Sequence, residues 1–176
     1  MVTDVVVLAL LTTGPMHGYE IKKKVSRILE RETALNNNAL YPALHRLESA
    51  GSVSSTVQEQ EQRPNRRVYR ITDRGRVQLR HLVADFDAAA ATREHEFLTR
   101  VAFFDLLDDE ARSRVLRLRR EALEQRLDRD SSLGTEFSRE FDAVWVDEVL
   151  QFRRRRLREE IAWIEELQRR TDGATL

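Results

Sequence analysis

Apolar positions recur along this chain in several distinct rhythms, and each rhythm predicts a different element. Val5, Val6, Val7, Leu8, Leu10 and Leu11 form a run that is apolar on nearly every side. With Thr3 or Asp4 as cap it predicts a buried first helix, ended by Gly14-Pro15. From His17-Gly18 onward, Tyr19, Ile21, Val25, Ile28 and Leu29 recur at helical spacing, with Lys22, Lys23, Lys24, Arg27 and Arg31 between them. They predict a second helix with an apolar inner face and a basic outer one. Asn36, Asn37 and Asn38 make a turn and cap cluster. Proline is tolerated in the first turn of a helix, so Pro42 predicts a third helix beginning near Asn38-Ala39. Leu40, Leu44 and Leu47 then face inward. Tyr41, His45 and Glu48 face outward, with Pro42, Arg46 and Ser49 beside them. Gly51 is a suitable residue to follow the helix end.

The rhythm then changes from helical to alternating. Val53, Ser55 and Val57, and later Tyr69 and Ile71, predict two strands joined by a polar loop from Gln58 to Arg67. Thr72 or Asp73 caps a further helix with Val77, Leu79, Leu82, Val83 and Phe86 inside, expected to run on through Ala88 to Ala91. A composition change near 86–93 divides the chain into expected domains 1–88 and 89–176. Beyond it the pattern is helical throughout. Phe97, Val101, Phe104 and Leu107 make a stripe, and Asp108-Asp109-Glu110 starts a helix carrying Val115, Leu116, Leu118, Leu123 and Leu127. A break is expected at Ser131 to Thr135, where Gly134 lies. A last helix is expected from Phe137 to Arg170, ~50 Å long at 1.5 Å per residue. Its stripe runs through Phe141, Val144, Trp145, Val149, Phe152, Leu157, Ile161 and Ile164. The flanking chain is too short to cover it, so Phe141, Trp145, Val149, Phe152, Leu157, Ile161 and Ile164 are expected to pack against a second copy.

Composition sharpens this picture in a few places. Charged residues make up 34% of the chain, with only 6 glycines and 3 prolines, which favours long solvated helices over a sheet-rich fold. Cysteine is absent, which excludes disulfides and thiolate metal sites and fits a reducing cytoplasm. Val2 to Leu11 is too short to span a membrane and lacks a basic leader, so neither a membrane anchor nor a signal peptide is expected. The formal net charge is zero, yet Arg63, Arg66, Arg67, Arg70, Arg74, Arg76 and Arg80 face one acid, Asp73. DNA responds to the local field within about 8–10 Å, so a basic patch can bind despite a neutral total. A short helix, a second helix, a glycine stop and a basic hairpin in this order describe a winged helix-turn-helix. That module lays one helix in the DNA major groove beside a positive ribbon. The fold class expected is mainly α: a winged helix-turn-helix with a two-stranded wing, then an all-α dimerisation domain with a long terminal helix.

The first 85 or so residues resemble the winged-helix domain of the PadR family of bacterial transcriptional regulators. The resemblance lies in Leu8-Ala9-Leu10-Leu11, Gly14-Pro15, His17-Gly18-Tyr19-Glu20, Leu40-Tyr41-Pro42-Ala43-Leu44, Arg46-Leu47-Glu48, Gly51, Arg63-Pro64 and Tyr69-Arg70-Ile71-Thr72 with Gly75. The C-terminal half resembles the family's longer-tailed branch in length and helical character. The chain departs from the family pattern at Asn38-Ala39, at Ser52 and in the acidic loop residues Glu59 and Glu61.

The resemblance implies a homodimeric, cytoplasmic regulator, a repressor by family analogy, on an inverted repeat of double-stranded DNA. It implies that Tyr41 contacts DNA at the start of the recognition helix, against the alternative of a packing ring. Tyr19 would meet phosphate or simply pack, Lys22 would contact DNA, and Asn36, Asn37 and Asn38 would meet phosphate or base edges where they are not simply caps. Pro42 and His45 lie on the outward face expected to meet DNA, His45 at a base or phosphate against the alternative of solvated surface, and Arg63, Arg66 and Arg67 form the basic wing. A small aromatic or hydrophobic effector is implied, with Trp145 and Trp163 as candidate contacts and dimer packing as the alternative. Arg153 to Arg156 suits a solvated helix face. No cofactor and no metal site is expected: His17, His45, His81 and His95 are scattered, and His81 with Asp85 makes only one i,i+4 pair. No phosphate-binding glycine loop or nucleophile elbow is present, so an enzyme is not expected. Two other readings stay open: a winged helix that binds protein alone, and a small-molecule or metal sensor centred on the C-terminal half.

Overall fold

In a computed structural model, the described residues are 2–28, 37–58, 66–140 and 144–173. The side chains of 26–28, 37–39, 133–140 and 172–173 are not among them. The chain divides into two compact units. The first is Met1–Asp85 with Leu98–Leu107, and the second is Phe86–Phe97 with Asp108–Leu176.

The first unit is helical with a small sheet. Helix α1 spans Val2–Thr12, β1 Met16–His17, α2 Gly18–Ile28 and α3 Asn37–Ser49. Strands β2 (Val53–Gln58) and β3 (Arg66–Ile71) follow, then α4 (Asp73–Ala84). Val5, Val6, Val7 and Leu8 are all fully buried, as an apolar run on every side requires. Asp4 is not the cap expected: the helix begins at Val2, and Asp4 sits buried in its first turn. Ile21, Val25, Leu40, Ala43, Leu44 and Leu47 pack beside α1 in this core. Each fully buried Leu contributes about 1.5–3 kcal/mol.

The sheet is three-stranded, in the order β1-β3-β2, and antiparallel throughout. The two-residue β1 was not expected, since a pair of residues carries no readable alternation. It pairs Met16 with Tyr69 and His17 with Val68. Strand β3 also begins earlier than predicted, so Arg66 and Arg67 lie in the ribbon itself and not in the loop. Thr72 caps α4, its hydroxyl accepting from the Gly75 N–H at 3.0 Å. The helix stops at Ala84 instead of running through the alanines, because Asp87 caps a separate short helix, α5 (Ala88–Ala91). Val77, expected inside, is 44% exposed.

Helix α6 spans Glu94–Val101, and a 3-10 turn covers Phe104–Leu106. The bulk of the second unit is a hairpin of two long helices, α7 (Asp109–Glu140) and α8 (Val144–Gly173). Asp108 caps α7 by accepting from the Ala111 N–H at 2.8 Å. The break predicted at Gly134 is absent: α7 continues to Glu140 and takes in Phe137. One glycine costs a helix about 1 kcal/mol, too little by itself to end one. Antiparallel pairing is fixed by Arg119 with Glu160 and Arg153 with Asp130. Arg119 is the buried centre of this unit. Its guanidinium donates to both Glu160 oxygens, at 2.8 and 3.0 Å, and to the Ala91 carbonyl at 2.7 Å. It also lies 5.5 Å from the centroid of the Phe97 ring.

The predicted stripe of α8 divides. Leu157 and Ile164 are buried within the chain's own hairpin, with Leu150 a heptad before them. Ile161 is half-buried. Trp145, Val149 and Phe152 remain 82%, 57% and 54% exposed. Phe141 lies outside the described residues. Trp163 packs edge-on to Phe97 with ring centroids 6.0 Å apart. Of the arginine run, Arg153 and Arg154 are tied to Asp130, at 2.9 Å to its carboxylate and 2.6 Å to its carbonyl. No helix among the described residues is long and apolar enough to cross a membrane.

Candidate nucleic-acid interface

Helix α3 turns a defined face to solvent because its other face is committed. Leu40, Ala43, Leu44 and Leu47 are buried, which leaves Tyr41, Pro42, His45, Arg46 and Ser49 outside. The helix begins at Asn37, a residue before the expected start, so Pro42 falls just past its first turn. Tyr41 is 48% exposed. The helix end is closed by a Schellman motif: Gly51 N–H donates to the Glu48 carbonyl and Ser52 N–H to the Leu47 carbonyl, each at 2.9 Å. Gly51 adopts φ +71°, a left-handed conformation that disfavours other residues. A salt bridge of 2.6 Å from Arg46 to Asp4 pins the same end to α1.

The N-terminus of α2 lies beside this face. The His17 N–H donates to Glu20 Oε2 at 3.0 Å, half of a capping box. Tyr19, predicted on the inner face, is 73% exposed, and Lys22 is half-buried. A methyl built on Gly18 would meet the Tyr69 ring at 3.5 Å and the Tyr41 ring at 3.6 Å. His17 to Glu20, Tyr41 and the β3 residues Arg66, Arg67 and Tyr69 therefore surround an open concavity of about 360 Å³.

Strand alternation separates the two wing arginines that the sequence grouped together. Side chains two residues apart share a face of a strand. Arg67 falls on the face of buried Tyr69 and Ile71, whereas Arg66 falls on the exposed face with Arg70. Arg67 Nε donates to Ser55 Oγ at 2.6 Å, and one of its terminal nitrogens donates to both Glu48 oxygens at 2.9 Å. Ser55 Oγ donates to Glu48 Oε1 at 2.6 Å. The guanidinium stands 5.7 Å from the Tyr69 ring centroid. The Ser55 hydroxyl and then the Arg67 charge hold the Glu48 carboxyl below the usual glutamate range, against the opposing effect of burial. Burial pushes the Tyr69 phenol up, with Arg67 working against it.

Glu48 was legible as an outward residue of α3, but nothing in the sequence linked it to a strand nineteen residues away. Asn37 and Asn38 belong to α3, but their side chains, like Asn36 and Arg63, lie outside the described residues. Among the described residues no three His, Cys, Asp or Glu side chains gather as metal ligands.

Residues 7–81 match the model of the transcriptional regulator PadR-like family. No curated protein matches the chain. A transcriptional regulator from Clostridium thermocellum is similar at 32% identity, over 45% of this chain and 74% of its own, with a TM-score of 0.41. A PadR family transcription regulator from Clostridium difficile is similar at 29% identity, over 45% of this chain and 80% of its own, with a TM-score of 0.40. Bacillus subtilis PadR in complex with operator DNA is similar at 20% identity, over 97% of this chain and 99% of its own, with a TM-score of 0.47. The matched segment contains the Leu40–Leu44 motif, Gly51 and the Tyr69–Thr72 strand end, and residues 7–81 form a domain of the PadR-like family of transcriptional regulators.

Proposed function

We propose that the chain is a homodimeric repressor that reads an inverted-repeat operator in the cytoplasm and releases it when a small aromatic or hydrophobic effector binds. The observation that carries the DNA surface is the outward face of α3, with Tyr41, Pro42 and His45, beside exposed Arg66 on the wing. In this reading α3 enters the major groove, Tyr19 and Lys22 meet the backbone, and Asn36, Asn37 and Asn38 sit at the groove end of the helix with Arg63 in the wing loop. Phosphate contacts set affinity and register, and base contacts set sequence choice. One winged helix offers a small surface, so two copies on half-sites about one helical turn apart supply the rest.

Genomic binding-site mapping with the purified chain tests the proposal. The expected product is a set of sites with a shared inverted repeat, and recovery of no enriched DNA overturns the reading. On such a site Arg66→Ala lowers affinity for all sequences alike and reduces the slope of log K against log salt by ~0.9, the share of one phosphate. Tyr41→Ala instead alters the preferred sequence, at ~1–3 kcal/mol if the ring side reads a base. An unchanged Arg66→Ala slope removes that residue from the interface.

The second copy is supported by Trp145, Val149 and Phe152, a stripe at i, i+4, i+7 that this chain leaves exposed. Sedimentation of the intact protein should give twice the 20.6 kDa of one chain. Phe152→Glu should return it to a single copy and abolish binding at two half-sites. A wild-type mass of one chain rejects the dimer. Quenching of Trp145 and Trp163 fluorescence by a panel of aromatic compounds tests the effector, and no quenching by any of them counts against it.

A further inference from the structure

We propose that Glu48 masks Arg67, so that Arg67 positions the wing and Arg66 supplies the wing charge that meets phosphate. The inference rests on the DNA-binding reading above. Arg67 is held from three sides: its Nε by Ser55, a terminal nitrogen by both Glu48 oxygens, and its flat face by the Tyr69 ring. Ser55 closes the circuit by donating to the same carboxylate. A lone exposed ion pair is worth little, but here four groups on three elements fix one geometry.

The masking has a physical consequence for DNA. Counterion release is driven by uncompensated positive charge brought to the backbone. An arginine already chelated by a carboxylate brings none, and its carboxylate repels any phosphate that approaches. Glu48 therefore suppresses sequence-independent affinity while holding the ribbon at a fixed position relative to α3. It is a specificity-determining residue that acts through Arg67.

The test uses the full chain and a short duplex of random sequence, titrated between roughly 50 and 200 mM salt. Glu48→Gln keeps an oxygen for Ser55 but removes the charge. It should steepen the salt slope by ~0.9 and tighten binding about eightfold near 0.1 M, the gain from one added phosphate contact. Asp105→Asn removes an exposed charge elsewhere in the unit and should leave the slope alone. Arg67→Ala should keep the wild-type slope, whereas Arg66→Ala should lose ~0.9 of it. An unchanged slope in Glu48→Gln, or a slope in Arg67→Ala as shallow as in Arg66→Ala, overturns the proposal.

A DNA-free measurement separates the two ideas. In the nitrogen-15 spectrum of the free protein, the Arg67 Nε–H should exchange slowly in wild type and quickly in Ser55→Ala. Fast exchange in wild type overturns the masking on its own. Slow exchange, with no duplex bound by wild type or by Glu48→Gln, sinks the DNA reading and takes the masking with it.

Discussion

Gly75→Ala lowers the melting temperature of the first unit by roughly 12–24 °C, the shift that ~3 kcal/mol produces in a small domain. The ordinary expectation has the opposite sign, because alanine in a helix interior gains about 0.5–1 kcal/mol over glycine. Local geometry reverses it. A methyl on Gly75 would stand 2.1 Å from the Ser52 carbonyl oxygen, 3.0 Å from its carbon and 2.8 Å from Ile71 Cγ1. Overpacking costs about 1–3 kcal/mol when neighbours can shift. This neighbour is backbone, and the same carbonyl accepts the Thr72 N–H at 3.1 Å. Relief would have to separate α4 from the turn that joins α3 to the wing, so the upper end of that range applies. A thermal melt followed by circular dichroism checks it, and a variant that melts with or above wild type removes the close approach.

Arg119→Met costs the second unit about 3 kcal/mol, the low end for breaking a buried ion pair. The side chain of Arg119 is 4% exposed and that of Glu160 20%. Removing the cation strands a carboxylate that keeps only a fifth of its side chain in water, and frees the Ala91 carbonyl. The double variant Arg119→Met, Glu160→Leu should recover most of the loss, because an apolar pair of similar volume replaces a buried ion pair at little net cost. Urea unfolding of the three proteins measures both effects. A single variant as stable as wild type refutes the central role of Arg119, and a double variant as weak as the single refutes the stranded-charge explanation.

What could be seen beforehand follows from the range of each interaction. The inward face of α3, the Thr72 cap and Gly51 were legible because each depends on residues within one or two turns. Strand β1 was not, since Met16 and His17 become a strand only through Tyr69 and Val68. The stop at Ala84 had a local sign, the Asp87 cap, that the alanine run obscured. The continuation of α7 through Gly134 had none, because a single glycine weakens a helix without ending it. At the candidate interface, composition marked the wing as basic but did not separate Arg66 from Arg67. That distinction needed the register of β3 and a carboxylate on another element.

Helix α3 is fastened at one end. Among the described residues its ion pairs fall at Arg46 and Glu48, and its terminal closure at Gly51. Pro42 and His45, farther toward its beginning, are exposed. Side chains at such positions can be exchanged without loosening the scaffold. On the DNA-binding reading proposed above, a lineage built on this frame drifts from one promoter to another through one or two substitutions, with folding left untaxed.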